Sequence, residues 1–581
     1  MNQSTPAIVA QAAVKRLPRL ALLLFCLAYL LPGFLGRVPW KYNDIATFGY
    51  MAELARGTSD WWQPTLGGLR PDVDALLPYW LGAWAMQLAP GWLPSDLVAR
   101  LPFMALLALT LMATWYGTYY LARSPKAQPV AFAFGGEAQP TDYARAIADG
   151  ALLAFIACLG LAQLAHETTP ALAQLCFTAL LFYATAALPY RQWTPGISAT
   201  VALVGLTLSG AAFMALALGL GSASLYLLAT PSDRSGATSN QIRALGLVAL
   251  CLACAGLATV LNLWHWRIEL PQARLSQWQS LGQLFLWFTW PAWPLALWTL
   301  WRWRRQLVSA RFTGLHLWLP VCFVAIASAA TLTTSAADRS LLLALPALAA
   351  LAAFALPTLS RSVGALIDWF TLIFFTGWAL VIWVVWIAMQ TGVPAQPAAN
   401  VARLAPGFVP SFSFTPFAIA VCATLVWIWL VKWRVGRHPK AIWKSMVLPA
   451  GGVALNWLLL MTLSLPLLDF ARSYAPMVKL VTSAMPPSPG CVAMLGLRKS
   501  QIAAFQFHGA LELQALDATS ECQWLIADIG AASRHADIKQ GSSWQLRRSL
   551  GHPAERKDSL HLYQRQPVQQ PAPPLKPEKS G

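Results

Sequence analysis

The sequence predicts an α-helical, polytopic membrane protein that carries a small soluble α/β domain near its C-terminal end. Three observations predict this class. Of the 581 residues, 57% are hydrophobic and only 11% are charged, whereas a soluble protein carries charges on roughly a quarter of its residues. The apolar residues collect in runs that are long enough to cross a bilayer. The polar region 467–566 differs, because short strand-like runs alternate there with turns.

Thirteen apolar runs are predicted to cross the membrane, because a span needs about 20 mostly apolar residues. The fifth and sixth form one long stretch that is broken only near Ser209-Gly210. We count two spans there, because a single span would move two later basic clusters to the outer face. The predicted spans are residues 19–36, 98–121, 149–165, 169–188, 197–209, 211–229, 245–264, 281–300, 316–334, 341–358, 366–388, 414–431 and 446–466.

The basic residues set the orientation of these spans. The net charge of +18 comes from clusters beside apolar runs, which is typical of membrane topology and argues against nucleic acid as a partner. With the N-terminus inside, the inner loops hold about nineteen Lys and Arg, against about nine in the outer loops. The predicted organisation is a membrane domain over 1–466, an outer α/β domain over 467–566, and a disordered tail over 567–581.

The largest outer loop, residues 37–97, contains two apolar segments. Between Asp44 and Arg56, the apolar residues recur at helical spacing, which predicts an amphipathic helix on the membrane surface. Residues 76–88 are too few for a span, so we expect them to re-enter the membrane or to lie flat on it.

The outer C-terminal domain is predicted to contain five strands and a helix at 499–507. Cys491 and Cys522 lie in this polar region, whereas most other cysteines lie in apolar runs. A disulfide between them is plausible on the outer side of a membrane, and the sequence leaves its presence open. The predicted strands are residues 491–496, 510–516, 522–528, 544–550 and 559–564.

Acidic residues are scarce, so those at the outer face are candidates for chemistry. Asp44 opens the predicted amphipathic helix and could simply cap it. His166-Glu167 follows the third span and could be a solvated turn. Because both sites lie at the same face, they could also converge on one pocket, where burial would tune a carboxylate towards base chemistry. Two outer arginines, Arg70 and Arg339, could hold a phosphate or merely snorkel.

Four segments in the first 120 residues occur in an order that resembles a known family. They are Asn43-Asp44, Ser59-Asp60-Trp61-Trp62-Gln63-Pro64, Leu77-Pro78-Tyr79-Trp80-Leu81 and Ala99-Arg100-Leu101-Pro102. The order is similar to that in GT-C glycosyltransferases of the lipid A aminoarabinose transferase and protein O-mannosyltransferase type. Weaker similarity extends to residues 205–213 and 339–346. The match is incomplete, because Ile45 replaces the second acid of the family's Asp-Glu pair, Arg70-Pro71-Asp72 stands for Lys-Pro-Pro, and Ser209 replaces a lysine.

The resemblance implies a GT-C-like membrane enzyme in the bacterial inner membrane, with its N-terminus cytoplasmic and its C-terminal domain periplasmic. Such an enzyme takes a sugar from a polyprenyl-phosphate donor and passes it to a lipid, glycan or protein acceptor at the periplasmic face. The reaction needs a base for the acceptor hydroxyl and cations for the leaving phosphate. No cofactor is implied, and no motif indicates a divalent metal.

Each candidate residue then has an expected role. Asp44 is the expected base and Glu167 its catalytic partner, so Asp44→Asn should abolish transfer without changing the protein level. The aromatic residues could stack on sugar faces or, because the chain has 29 tryptophans, belong to an interfacial belt. The expected substrate-binding residues are Arg70, Arg339, His166, Asp60, Trp61, Tyr79 and Trp80.

Two alternatives remain open at this point. A multi-pass lipid or polysaccharide transporter would carry ionisable residues in mid-span, and the nearest case here is Asp368. A non-catalytic envelope assembly protein would use the C-terminal domain for docking. Convergence of Asp44, Glu167, Arg70 and Arg339 on one site would favour the enzyme.

Overall fold

The computed structural model describes residues 5–229, 234–264, 274–308, 314–334, 337–436, 441–517, 521–535 and 544–566. The tail predicted to be disordered, residues 567–581, lies outside the described residues.

Helices make up most of the described chain. The helices that precede the C-terminal region are α1 Arg19–Leu30, α2 Asn43–Arg56, α3 Leu77–Leu88, α4 Ser95–Ala122, α5 Pro140–Ala157, α6 Leu161–Leu164, α7 Pro170–Ala187, α8 Trp193–Leu208, α9 Ala212–Leu228, α10 Arg234–Val260, α11 Leu275–Phe288, α12 Ala292–Arg302, α13 Arg304–Leu307, α14 Leu315–Leu332, α15 Ala337–Leu342, α16 Leu345–Ala355, α17 Arg361–Thr391, α18 Ala395–Leu404, α19 Phe414–Val435 and α20 Val447–Leu460. Those that follow are α21 Leu465–Arg472, α22 Ala475–Thr482, α23 Lys499–Gly509 and α24 Ile529–Ala532.

The polytopic membrane architecture is confirmed, but the number of spans is not. Every predicted span coincides with at least one helix. By length and composition, however, only six helices among the described residues could cross a membrane, or seven if α20 and α21, bent by 71°, count as one span. Several of the others are short; α8 and α9 have 16 and 17 residues, so each reaches only about 25 Å.

The break between α8 and α9 lies where the sequence predicts it. Gly210 has a φ of +77°, a backbone conformation that side chains larger than hydrogen disfavour. A Cβ atom there would come within 2.6 Å of the Val73 side chain. The first outer loop packs against this break, and the backbone N–H of Leu76 donates to the carbonyl of Leu208 over 2.7 Å.

The C-terminal domain contains the five predicted strands and the predicted helix, α23. The strands are β1 Cys491–Leu495, β2 Glu512–Ala515, β3 Trp524–Asp528, β4 Trp544–His552 and β5 Glu555–Arg565. They form one mixed sheet in the order β2-β1-β3-β5-β4. β1 runs parallel to β2 and β3, whereas β5 runs antiparallel to β3 and β4. A disulfide joins Cys491 to Cys522.

Helix α2 contacts protein along its apolar face, where the sequence predicts contact with the membrane. Phe48 of α2 packs edge-on against Phe507 of α23, with ring centroids 4.7 Å apart. Gln506 of α23 donates to Glu53 Oε1 over 2.7 Å, and Met51 packs against Gly82 of α3. The C-terminal domain therefore covers α2, and its contacts fix the position of the residues at the start of that helix.

Candidate functional site

Asp44 lies in the first turn of α2, in the large loop over residues 37–97. Its side chain is 1% exposed and accepts four hydrogen bonds. Oδ1 accepts the backbone N–H and the hydroxyl of Thr168, at 2.8 and 2.7 Å. Oδ2 accepts Nη2 of Arg37 at 2.9 Å and the backbone N–H of Trp40 at 3.0 Å. A carboxylate has about four lone-pair positions, so the described partners occupy all of them.

Two arginines lie behind Asp44. The Arg37 side chain is as buried as the carboxylate, and its Nη2 also donates to the carbonyl of His166 over 2.9 Å. Arg100 of α4 donates to the carbonyl of Arg37 and pairs with Asp96, with Nη2 and Oδ2 3.2 Å apart. The first loop, α4 and the 165–169 loop are thus joined through one buried charge cluster.

These contacts set the ionisation of Asp44, which lies outside the spans. Burial alone would raise its pKa, but the charges of Arg37 and Arg100 and the donors Thr168 and Trp40 together hold the pKa below its ordinary value. An anion in the first turn of a helix is also favoured by the helix dipole. Asp44 is therefore ionised at neutral pH and is a weak proton acceptor in this geometry.

The backbone directly before Asp44 is strained. Tyr42 has φ 66° and ψ −112°, a conformation that bulky residues rarely adopt and that costs on the order of 1–3 kcal/mol. Its hydroxyl donates to Glu555 Oε1 over 3.0 Å, and Lys41 Nζ lies 2.9 Å from Glu555 Oε2. The turn between β4 and β5 thus holds the strained segment in place.

Glu167 lies beside Asp44 on the neighbouring loop. Its Oε1 accepts Nε2 of Gln163 at 3.1 Å, and its Oε2 lies 3.9 Å from Nη2 of Arg339. Burial and the negative charge of Asp44 raise its pKa, although Gln163, Arg37 and Arg339 oppose that shift. The two acids thus differ, because the pKa of Asp44 is lowered whereas that of Glu167 is raised.

Arg339 reaches this cluster from α15. Its guanidinium faces Glu167 and lies against the side-chain amide of Asn43. The side chain is 25% exposed, and its Nε has no hydrogen-bond partner among the described residues. The Nε atom is itself buried, so an incoming anion can reach only the exposed part of this side chain, as a phosphate bound by an arginine would.

Trp40 lies at the centre of a second group of charges. Arg37 lies over its ring at 4.6 Å from the centroid, and Arg472 at 5.5 Å. The indole N–H donates to Asp469 Oδ1 over 2.7 Å. Arg472 is exposed and also donates to Gln163 Oε1 over 2.9 Å. This arginine is a second exposed cation, and Gln163 connects it to Glu167.

His166 is packed in the core, whereas the sequence predicts a substrate-binding residue. Its ring lies 4.8 to 5.4 Å from the rings of Tyr29, Phe34 and Trp457. Burial lowers the pKa of this imidazole to about 4, so it is neutral at pH 7. His166 contributes to the site through its backbone carbonyl, which accepts a hydrogen bond from Arg37.

Arg70 and Asp60 lie in the first loop, away from the acidic pair. Arg70 donates to Gln63 Oε1 over 3.1 Å, and among the described residues it forms no ion pair with a carboxylate. Asp60 Oδ1 accepts the backbone N–H of Trp62 at 2.8 Å, which closes a local turn. The structure therefore does not bring these two residues together with Asp44 and Glu167.

The predicted aromatic residues form a cluster of their own around α3. Trp80 Nε1 donates to the carbonyl of Trp61 over 2.8 Å, and the Trp61 ring stacks on Trp84 at 6.2 Å. Tyr79 is buried against Tyr50, with its hydroxyl directed at the carbonyl of Val73. Trp80 and Trp61 could contact a ligand, whereas the Tyr79 ring belongs to the core.

Several residues of the site were missed by the sequence predictions. Arg37 and Arg472 lie at the ends of apolar runs, where snorkelling is the ordinary explanation. Thr168 is adjacent to a predicted site residue but carries no charge. Asp469 lies 425 residues or more from its partners Trp40 and Arg37, so spacing could not reveal it. Within the described ranges, no group of three or more His, Cys, Asp or Glu side chains could hold a metal ion.

The fold is similar to that of two solved structures. They are ArnT from Cupriavidus metallidurans in the apo state and the same protein bound to undecaprenyl phosphate. Each aligns with 94% of this chain at a TM-score of 0.59 and 13% sequence identity, and the alignments cover 97% and 98% of the ArnT chains. No protein-family model and no curated protein matches the sequence. The chain therefore shares the fold of ArnT over nearly its whole length, as predicted for a helical, polytopic membrane protein with a small C-terminal domain.

Proposed function

We propose that this chain is a GT-C-type glycosyltransferase of the bacterial inner membrane. It moves a sugar from a polyprenyl-phosphate donor to a lipid, glycan or protein acceptor at the periplasmic face. The observation that carries the proposal is the convergence of Asp44, Glu167 and Arg339 on one site, although they come from three separate elements. The ArnT fold, solved also with undecaprenyl phosphate, supports a polyprenyl-phosphate donor.

Glu167 and Asp44 have different roles in this reaction. Glu167 accepts the proton of the acceptor hydroxyl, because its raised pKa makes it the better base. Asp44 stays ionised, holds Arg37, and fixes the 165–169 loop through Thr168. This assignment exchanges the roles that the sequence suggests, because the four donors around Asp44 leave it no lone pair for an acceptor.

The leaving phosphate needs positive charge. As the bond between the acceptor oxygen and the anomeric carbon forms, the bond from that carbon to the phosphate oxygen breaks, and the phosphate keeps the electron pair. Arg339 lies next to Glu167, and Arg472 contacts Gln163, which in turn donates to Glu167. Both arginines can compensate that charge. Arg37 is fully buried, so it contributes to the site by holding the Asp44 carboxylate in place.

The alternatives have less support. The acid nearest to mid-span in the sequence, Asp368, pairs with Arg434 across α17 and α19 at 2.6 Å, which is typical of a structural ion pair. The C-terminal domain packs against α2 through α23, so this surface is already covered within the chain.

The proposal is tested by lipid and glycan mass spectrometry of a deletion strain. We expect one sugar to be missing from one envelope component, and the wild-type chain to restore it. Glu167→Gln and Asp44→Asn should not restore it, although both proteins reach the membrane. Glu512→Gln, which removes an exposed acid of β2, is the matched control and should restore it fully. An unchanged glycan profile, or full restoration by Glu167→Gln, would refute the proposal.

A further inference from the structure

A second polar cavity lies far from the acidic site. It has a volume of about 780 Å³ and is bounded by the start of α1, the C-terminal end of α4, α5 and the residues after α7. Helix α4 connects the two regions, since Arg100 belongs to the Asp44 cluster and Arg123 lines the cavity. These arginines are 23 positions apart, which in a helix corresponds to about 35 Å and is close to the thickness of a bilayer.

Four arginines line this cavity, namely Arg19, Arg123, Arg145 and Arg191. In the described part of the chain, none of them lies within 4.0 Å of a carboxylate oxygen. The nearby acids are engaged elsewhere, because Asp142 pairs with Arg16 at 3.0 Å and Asp149 accepts the indole N–H of Trp115 at 2.8 Å. The charges of Asp142 and Asp149 act on Arg145 at longer range, so these acids offset the positive charge of the cavity only in part.

Aromatic rings hold one of these arginines in position. The Arg123 guanidinium lies 5.8 Å from the ring centroid of Tyr119 and 5.5 Å from that of Tyr190. Tyr119 in turn stacks on Trp115 at 5.4 Å, and Tyr190 packs against Tyr120 at the same distance. Such cation–π contacts orient the guanidinium and leave its N–H groups available to an anion.

The rim of the cavity is suited to contact with lipid. Trp193 is 81% exposed and Tyr116 is 46% exposed, and both line the cavity. Exposed Trp and Tyr are typical of the level of the lipid headgroups. A molecule in this cavity can therefore reach the guanidinium groups from the bilayer as well as from water.

We propose that this cavity binds a phosphate-bearing anion at the membrane face opposite the Asp44 site. Arginine forks match phosphate oxygens in pairs, and within the described part of the chain none of the four guanidinium groups forms a close ion pair with a carboxylate. The volume lies within the range of small-molecule sites and exceeds what one inorganic phosphate fills. The ligand is either the headgroup of an anionic phospholipid in that leaflet or a soluble phosphate ester or pyrophosphate.

Native mass spectrometry of the full-length chain in detergent tests this proposal with two probes, phosphatidylglycerol and inorganic pyrophosphate. The test variant is Arg19→Gln/Arg191→Gln, since both side chains are exposed and their loss should leave the fold intact. The matched control is Arg304→Gln/Arg403→Gln, which removes the same charge at exposed positions elsewhere. We expect the test variant to bind about thirtyfold more weakly than the wild type, and the control to bind like the wild type.

Retention of phosphatidylglycerol alone would identify a lipid headgroup, and retention of pyrophosphate alone would identify a soluble phosphate. Either result, if lost in the test variant, supports the site. If the wild type binds neither probe, or if both variants bind equally weakly, the proposal is overturned. In that case the arginines serve only to orient the chain in the membrane. None of these outcomes depends on transferase activity.

Discussion

The arginines near the two ends of α4 are in opposite environments. At the Asp44 end, Arg37 and Arg100 are buried and each contacts a carboxylate. At the other end, Arg123 lies between aromatic rings in an open cavity without an acidic partner in the described chain. Buried paired charges fix positions, because removing one partner leaves the other uncompensated. Exposed arginines without a close acidic partner instead remain available to a ligand. Arginine therefore stabilises the structure around Asp44, whereas in the cavity at the other end of α4 it can bind an anion.

The largest expected effect is on stability at the Asp44 end. Arg37→Met leaves the buried Asp44 carboxylate without its ion-pair partner, so we expect the free energy of unfolding to fall by about 3–5 kcal/mol. Arg191→Met, at the open end, should change it by less than about 0.5 kcal/mol, as for most surface substitutions. Unfolding both variants with SDS in micelles measures the difference. Equal losses of stability in the two variants would mean that Arg37 and Arg191 do not differ in their structural role.

A double variant separates the effect of the unpaired Asp44 charge from the effect of lost packing. Adding Asp44→Asn to Arg37→Met removes the unpaired anion, so the double variant should recover part of the lost stability. Further loss in the double variant would show that packing, rather than the ion pair, dominates the effect.

The sequence predicts the C-terminal domain better than the Asp44 site, and the reason is physical. Strand alternation and helix periodicity are local signals, so all five strands and α23 were predicted from runs of a few residues. The pairing of Asp44 with Arg37 spans only seven residues, but it depends on a turn through Tyr42 that has no sequence signature. The convergence of Arg339 with Glu167 depends on how distant helices pack.

Other sequence predictions are incomplete, because the packing partner of a helix can lie far along the chain. The apolar spacing of α2 indicates that one face is buried, but it does not indicate what buries it. The partner is α23, more than 400 residues later. In the same way, the span count rests on length and hydropathy, and those measures do not separate membrane-spanning helices from short helices such as α8 and α9, interrupted at Gly210.

A smaller effect on stability is expected from Glu167 and Asp44, and it should depend on pH in opposite ways for the two residues. The pKa of Glu167 is raised in the folded chain, so the protonated carboxyl group stabilises the fold. This stabilisation is fully present below about pH 4.5, the ordinary pKa of the group. It is lost as the pH rises through the pKa in the folded chain. Glu167→Gln should therefore be more stable than the wild type at neutral pH, and the difference should shrink as the pH falls towards 4.5. SDS titrations at several pH values measure this.

Asp44 should behave in the opposite way. Its pKa is lowered in the folded chain, so its stabilisation is present above its ordinary pKa of 3.8 and is lost as pH falls through the folded value. Asp44→Asn should consequently lose stability at neutral pH and lose less under acid conditions. If both variants show the same pH trend, the division of roles between the acids is wrong.

The smallest effect tests the backbone strain at the Asp44 end. Positive φ at residues other than glycine occurs in the described chain at Tyr42, Asn262 and Ala510, and none of these lines the arginine cavity. Tyr42→Gly should relieve the strain and raise the free energy of unfolding by about 0.5–1.5 kcal/mol, after allowing for the greater freedom of glycine in the unfolded chain.

Tyr42→Phe is the control, because it removes only the hydroxyl that contacts Glu555 and should change stability by less than about 1 kcal/mol. A Tyr42→Gly variant that is less stable than the wild type would show that this conformation carries no strain. A more stable variant with weaker transfer would instead indicate that the strained turn positions Asp44 for the reaction, as strain at functional sites often does.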